Sequence, residues 1–109
     1  MALDPNEAAK RVLIAYRQLN ELVKEHIGFA SAAANIESYN RILASLNECF
    51  SIDKAFASSV SHLRPLRDET NNLPFQMESD GKILLSTAHS FIELYLSPEE
   101  KKKTIGFHG

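Results

Sequence analysis

His26, His62 and His89 stand on three different predicted helices, and Glu93 lies one helical turn beyond His89. Inward histidines and carboxylates from facing helices are the donor set from which metal centres in helical bundles are built. His26, His62, His89 and Glu93 are therefore the candidate metal ligands of this chain. The pattern is incomplete, because a dinuclear carboxylate centre wants paired Glu-x-x-His motifs and no Glu here precedes a His by three. The expectation is that each histidine is a core-edge residue satisfied by a backbone carbonyl, with no metal and no cofactor. A helical metalloprotein or enzyme using this His/Glu set is the alternative.

Other reactive types fare less well. His89 as a phosphoryl acceptor would meet the Glu93 carboxylate one turn away, which repels an incoming phosphoryl group. Cys49, beside Phe50 at a helix C-terminal end, has no neighbour in sequence that lowers a thiol pKa, so it reads as a small buried hydrophobe. Arg64, Arg67 and Arg41 form one basic spot and Lys101 to Lys103 another. Asp68, Glu69, Glu99 and Glu100 interrupt both, so neither projects the clean positive field that phosphate backbones require. A nucleic-acid-associated helical protein is thus a further alternative and not the first reading. The apolar residues outside the clear helical seams point elsewhere: Phe75 and Met77, with Phe29 and Phe107, are the candidate partner-binding residues, since Met and large aromatics are typical of adaptable interfaces.

The elements that must position these residues are helices. Ile36, Tyr39, Leu43, Leu46 and Phe50 recur at steps of three and four, which is one face of an α-helix. Val12, Tyr16, Leu19, Val23 and His26 make a similar seam. Asp4-Pro5-Asn6-Glu7 reads as a capped helix start, Asp53 as another, and Ser97-Pro98-Glu99-Glu100 as a third. Gly28 suits a helix end and Ser31 the next start. Pro65 disfavours helix at Arg64. Ser79 or Asp80 is the expected cap of the most apolar segment, which carries Leu84, Ala88, Phe91 and Tyr95 on one seam and Leu85, His89, Ile92 and Leu96 on a second.

The expected fold is all-α: a small antiparallel four-helix bundle with helices over 5–27, 31–50, 53–64 and 80–96, a short C-terminal helix over 98–103, a long connection at 66–79 and a tail at 104–109. The first two helices should form an antiparallel hairpin whose groove helix 4 fills. A chain of 109 residues accommodates a single domain over 1–109. Twelve Lys and Arg against 14 Asp and Glu give a net charge of −2, with no excess to attract a polyanion. No apolar run approaches the roughly 20 residues of a membrane span. One cysteine, and an N-terminus without a basic and apolar leader, make a cytoplasmic location the expectation.

Function follows from an expected shortage. A helix 3 of small residues is too short to cover the 1–2 hairpin, which leaves apolar surface for a second copy or another protein. The expected function is a non-catalytic helical interaction module, an adaptor, regulatory or assembly subunit acting through an apolar helix face and the 66–79 loop. Its expected partners are protein and self, most simply as a homodimer, with no membrane contact.

Overall fold

The structure, a computed structural model, describes residues 3–24, 29–67 and 73–103, and the side chains of all of these except 24 and 29–33. It is all-α. Helix α1 spans Pro5–Lys24, α2 Phe29–Phe50, α3 Lys54–Val60, α4 Leu73–Tyr95 and α5 Pro98–Lys103. The expected caps are in place: the Glu7 N–H donates to Asp4 Oδ2 at 3.2 Å, the Ala55 N–H to Asp53 Oδ1 at 2.9 Å and the Glu100 N–H to Ser97 Oγ at 3.2 Å. Each satisfies a donor that the helix itself leaves orphaned.

Cross-chain contacts fix the directions. Arg11 near the start of α1 pairs with Glu48 near the end of α2 at 3.0 Å, so these helices are antiparallel. Asn6 Oδ1 accepts from the Ser97 N–H at 2.8 Å, just past the end of α4, and Val23 packs against Gly81 towards its beginning, so α1 and α4 are antiparallel too. Helices α2 and α4 therefore run parallel, which requires the chain between them to travel back along the bundle. Short α3 and residues 61–67 make that return.

The core lies where α1, α2 and α4 meet. Tyr39, Leu43, Leu46 and Phe50 of α2 are all buried, against Val12 and Leu19 of α1 and Leu84, Ala88, Phe91 and Ile92 of α4. Helix 4 does fill the groove of the 1–2 hairpin.

Three boundaries differ from expectation. Helix α4 begins at Leu73 and not at 80, so residues 73–79 of the expected 66–79 connection are helical. Pro74 is no obstacle there, because proline is tolerated in a first turn whose N–H groups need no intrahelical partner. Asp80 is consequently inside α4 and buried instead of capping it. Helix α2 begins at Phe29, which places Ser31 within the helix. Helix α3 stops at Val60, four residues early. The serines end it: the Ser59 hydroxyl donates to the Ala55 carbonyl at 3.0 Å and the Ser61 hydroxyl to that of Ser58 at 3.0 Å, competing with helical continuation.

The longer α4 bears on the expected shortage of cover. Leu73 and Met77, on its added turns, are fully buried, and the large apolar side chains that stay exposed among the described residues are Ile14, Phe75 and Leu94.

Helices α1 and α4 approach closely at Gly81. A methyl group there would stand 2.6 Å from Val23 Cγ2, closer than real carbons come. Valine is stiff at χ1 in a helix, so it cannot simply turn aside. Gly81→Ala should therefore destabilise by about 1–3 kcal/mol through overpacking, although alanine is the better helix former by about 0.5–1 kcal/mol. In a Val23→Ala background the same substitution should be neutral or stabilising. Urea midpoints of the four proteins in this cycle check the reversal of sign.

Candidate functional site

Phe75 and Met77, two of the expected partner-binding residues, differ in exposure. Phe75 stands on the first turn of α4 with its side chain 68% exposed, while Met77, two residues on, is fully buried. That removes Met77 from any exposed patch, because two residues on a helix are separated by about 200° of rotation and α4 packs its Met77 face onto α1 and α2. Phe29 is the first residue of α2. Phe107 and His26 lie outside the described residues.

Among the described residues, His62 and His89 stand apart from any metal-binding group. His62 is exposed in the turn after α3. His89 is partly buried on α4, its ring 6.5 Å from that of Tyr16 and its Nε2 3.8 Å from Glu93 Oε1. Glu93 also takes Lys101 of α5 at 3.4 Å, while its backbone carbonyl accepts from the same ammonium at 2.8 Å. Glu93 thus fastens α5 to the end of α4. Among the described residues, no three His, Cys, Asp or Glu side chains are grouped closely enough to hold a metal ion.

Cys49 is buried, and that burial pushes its thiol above the ordinary value, with Glu48 adding to the effect and Arg11 opposing it. A thiol that resists ionisation is a poor nucleophile. The Tyr95 hydroxyl donates a hydrogen bond to Asp53 Oδ2, which holds that carboxyl below its usual range and ties α4 to the cap of α3.

Two features with site-like geometry were not expected. The larger is an open furrow of about 670 Å³ along the outer side of the α1–α2 hairpin. Leu22 and Ile42 supply its apolar part, while Gln18 and Glu21 of α1 and Asn35 and Arg41 of α2 border it. It exists because Ser38 and Ser45 stand where longer side chains would close the two helices together. From Asn35 to Ser45 it follows about three turns of α2.

The second is a polar joint beneath the α3–α4 connector. Asn40 clamps the returning chain, its Nδ2 donating to the Leu66 carbonyl at 3.0 Å and its Oδ1 accepting from the Leu66 N–H at 2.8 Å. Beside it Tyr39 is fully buried and its hydroxyl has no hydrogen-bond partner among the described residues. Burial raises its pKa, and the charge of Asp80 raises it further. No local pattern announces this joint: Asn40 and Leu66 are 26 residues apart, and Asn40 alternates with apolar seam residues as any solvated position does.

Asn40→Ala should strip two partly buried backbone groups of their partners. A loss of about 1–3 kcal/mol is expected, together with faster amide exchange at Leu66. Chemical denaturation and hydrogen exchange measure both, and a change under 0.5 kcal/mol with unaltered exchange would show the clamp to be idle.

No helix among the described residues is long and apolar enough to cross a membrane. Comparison of the chain with family models, with curated proteins and with solved structures finds no match.

Proposed function

We propose that this protein is a non-catalytic helical interaction module, an adaptor, regulatory or assembly subunit that receives a helix of a protein partner or of a second copy of itself. The observation that carries this reading is the furrow between α1 and α2, lined by Leu22 and Ile42 together with polar residues of both helices. A surface that mixes apolar and polar side chains in this way is ordinary for a non-obligate protein interface. A helix laid along a groove between helices engages it through side chains spaced at three and four residues, which suits a furrow about three turns long. Phe75, exposed on α4, offers a second apolar contact of the kind that anchors interfaces.

Self-association tests the reading directly. Light scattering across a concentration series should show a dimer whose fraction falls when Ser45→Arg fills the furrow. Ser45 is exposed, so the melting temperature of the monomer should be unchanged. If the protein stays monomeric, affinity recovery from native lysate should yield a partner that Ser45→Arg releases. A monomer at all concentrations, with no partner whose retention depends on Ser45, defeats the proposal.

A further inference from the structure

Asp80 is the one charged residue buried among those described, at 6% exposure. Burying a carboxylate is costly unless a cation or several donors compensate it. Asp80 has one such donor: Gln76 Nε2 donates to its Oδ1 at 3.0 Å, and no cationic side chain pairs with it among the described residues. The Tyr39 hydroxyl, close enough to feel the charge of Asp80, has no hydrogen-bond partner among the described residues. Asp80 thus sets a carboxylate with a single protein donor at the edge of a core that is otherwise apolar among the described residues.

Asp80 also opens on a cavity of about 310 Å³ between the α3–α4 connector and the first turns of α4. Its wall is chemically divided. Leu63, Pro65 and Leu66 make an apolar side, and Gln76 with Asp80 makes a polar end. Arg64 borders the same space, but its Nη1 donates to the backbone carbonyls of Ser61 at 2.6 Å and Leu63 at 3.1 Å, and it is not paired with Asp80.

We propose that this cavity is a binding site for a small primary alkylammonium ion, with Asp80 as counter-ion and the Leu63–Leu66 wall against the alkyl stem. The donor set decides against a metal ion, because His62 and Asp80 are the only metal-ligating side chains on this wall and no larger group is present among the described residues. An ammonium ion has three N–H donors and no acceptor, which suits the Asp80 carboxylate and the Gln76 amide oxygen at the polar end. The inference is independent of the interaction reading, since the cavity lies at the α3–α4 corner and the furrow on the α1–α2 hairpin.

The test is a titration of the 15N-labelled protein with propylammonium chloride at constant ionic strength, with propan-1-ol as the neutral match and two variants beside the native chain. Amide resonances of Leu66, Gln76 and Asp80 should move together to saturation with the ammonium ion and not with the alcohol. Asp80→Asn, which keeps the shape, should weaken binding about tenfold or more through loss of the charge-assisted contact. Arg64→Gln, at an exposed position, should strengthen it about two- to fivefold by removing a like charge from the wall. Equal response to the alcohol, an absence of saturation, unchanged affinity in Asp80→Asn or weakened affinity in Arg64→Gln would each overturn the proposal. Should Asp80→Asn not fold, the alcohol comparison and the Arg64 variant decide it.

Discussion

Phe91→Ala should cost about 3–5 kcal/mol, the range for removing a fully buried aromatic ring from a core that cannot collapse around the gap. Phe91 is 0% exposed and stands at the centre of four rings. Its centroid is 5.3 Å from that of Phe50 on α2, 5.1 Å from that of Phe56 on α3 and 4.8 Å from that of Tyr95 on α4 itself. The Phe56 pair is near edge-to-face, at 79°, which adds attraction between ring edge and ring face to the burial. Phe50 and Phe56 make ring contacts with the same elements, and α3, at seven residues, is too short to hold its place by its own hydrogen bonds. The loss should therefore appear in two ways. Global stability falls by a fifth or more of the roughly 5–15 kcal/mol available to a domain of this size, visible as a drop of roughly 10–30 °C in the melting midpoint. Amides of α3 should also exchange faster than those of α1, because the ring that fastens α3 to the bundle has gone. Phe56→Ala, at a partly exposed position on the same cluster, should cost less. A change below 1 kcal/mol for Phe91→Ala would mean that the α2, α3 and α4 ends do not meet as described.

Where the sequence speaks locally, it speaks clearly. The seams of α1 and α2 and the caps at Asp4, Asp53 and Ser97 depend on neighbours within four residues, and the structure has them. The start of α4 was obscured by three residues whose ordinary meaning is a break. Proline commonly ends a helix, Asp80 reads as a cap and glycine is a poor helix former, yet Leu73, Met77, Asp80, Gly81, Leu84, Ala88 and Phe91 lie on one buried face at steps of three, four and one. Two of those positions carry no apolar side chain, so the hydrophobic pattern has a gap where the helix does not. Gly81 is there because Val23 occupies the space its side chain would need, and Asp80 lies beside the buried Tyr39 hydroxyl. Both reasons are tertiary, and neither could be read from the segment itself. The furrow was hidden for the same cause: Ser38 and Ser45 look like solvated positions on α2, and only the α1 backbone opposite turns them into an opening.

The same extra turns of α4 permit a sharp test of fold against function. Met77→Ala should destabilise by about 2–5 kcal/mol, since a fully buried methionine is removed from between α4 and the hairpin. Phe75→Ala, two residues away and 68% exposed, should alter stability by less than about 0.5 kcal/mol. Urea denaturation of the pair gives the contrast in one experiment. If residues 73–79 were an unstructured connection, the two substitutions would have similar small effects, and the aromatic would be the more sensitive because it has more surface to lose. The reverse order is a signature of helix, since only a helical turn puts residues two apart on opposite faces. The two variants should exchange ranks when association is measured. Phe75→Ala removes an exposed apolar contact while leaving the fold intact, so any loss of dimer or of captured partner in that variant belongs to the interface. Loss in Met77→Ala should track unfolding and be recovered when temperature is lowered enough to restore the native population. Should Phe75→Ala leave association untouched, the partner surface is confined to the furrow between α1 and α2, and Ser45→Arg alone should release it.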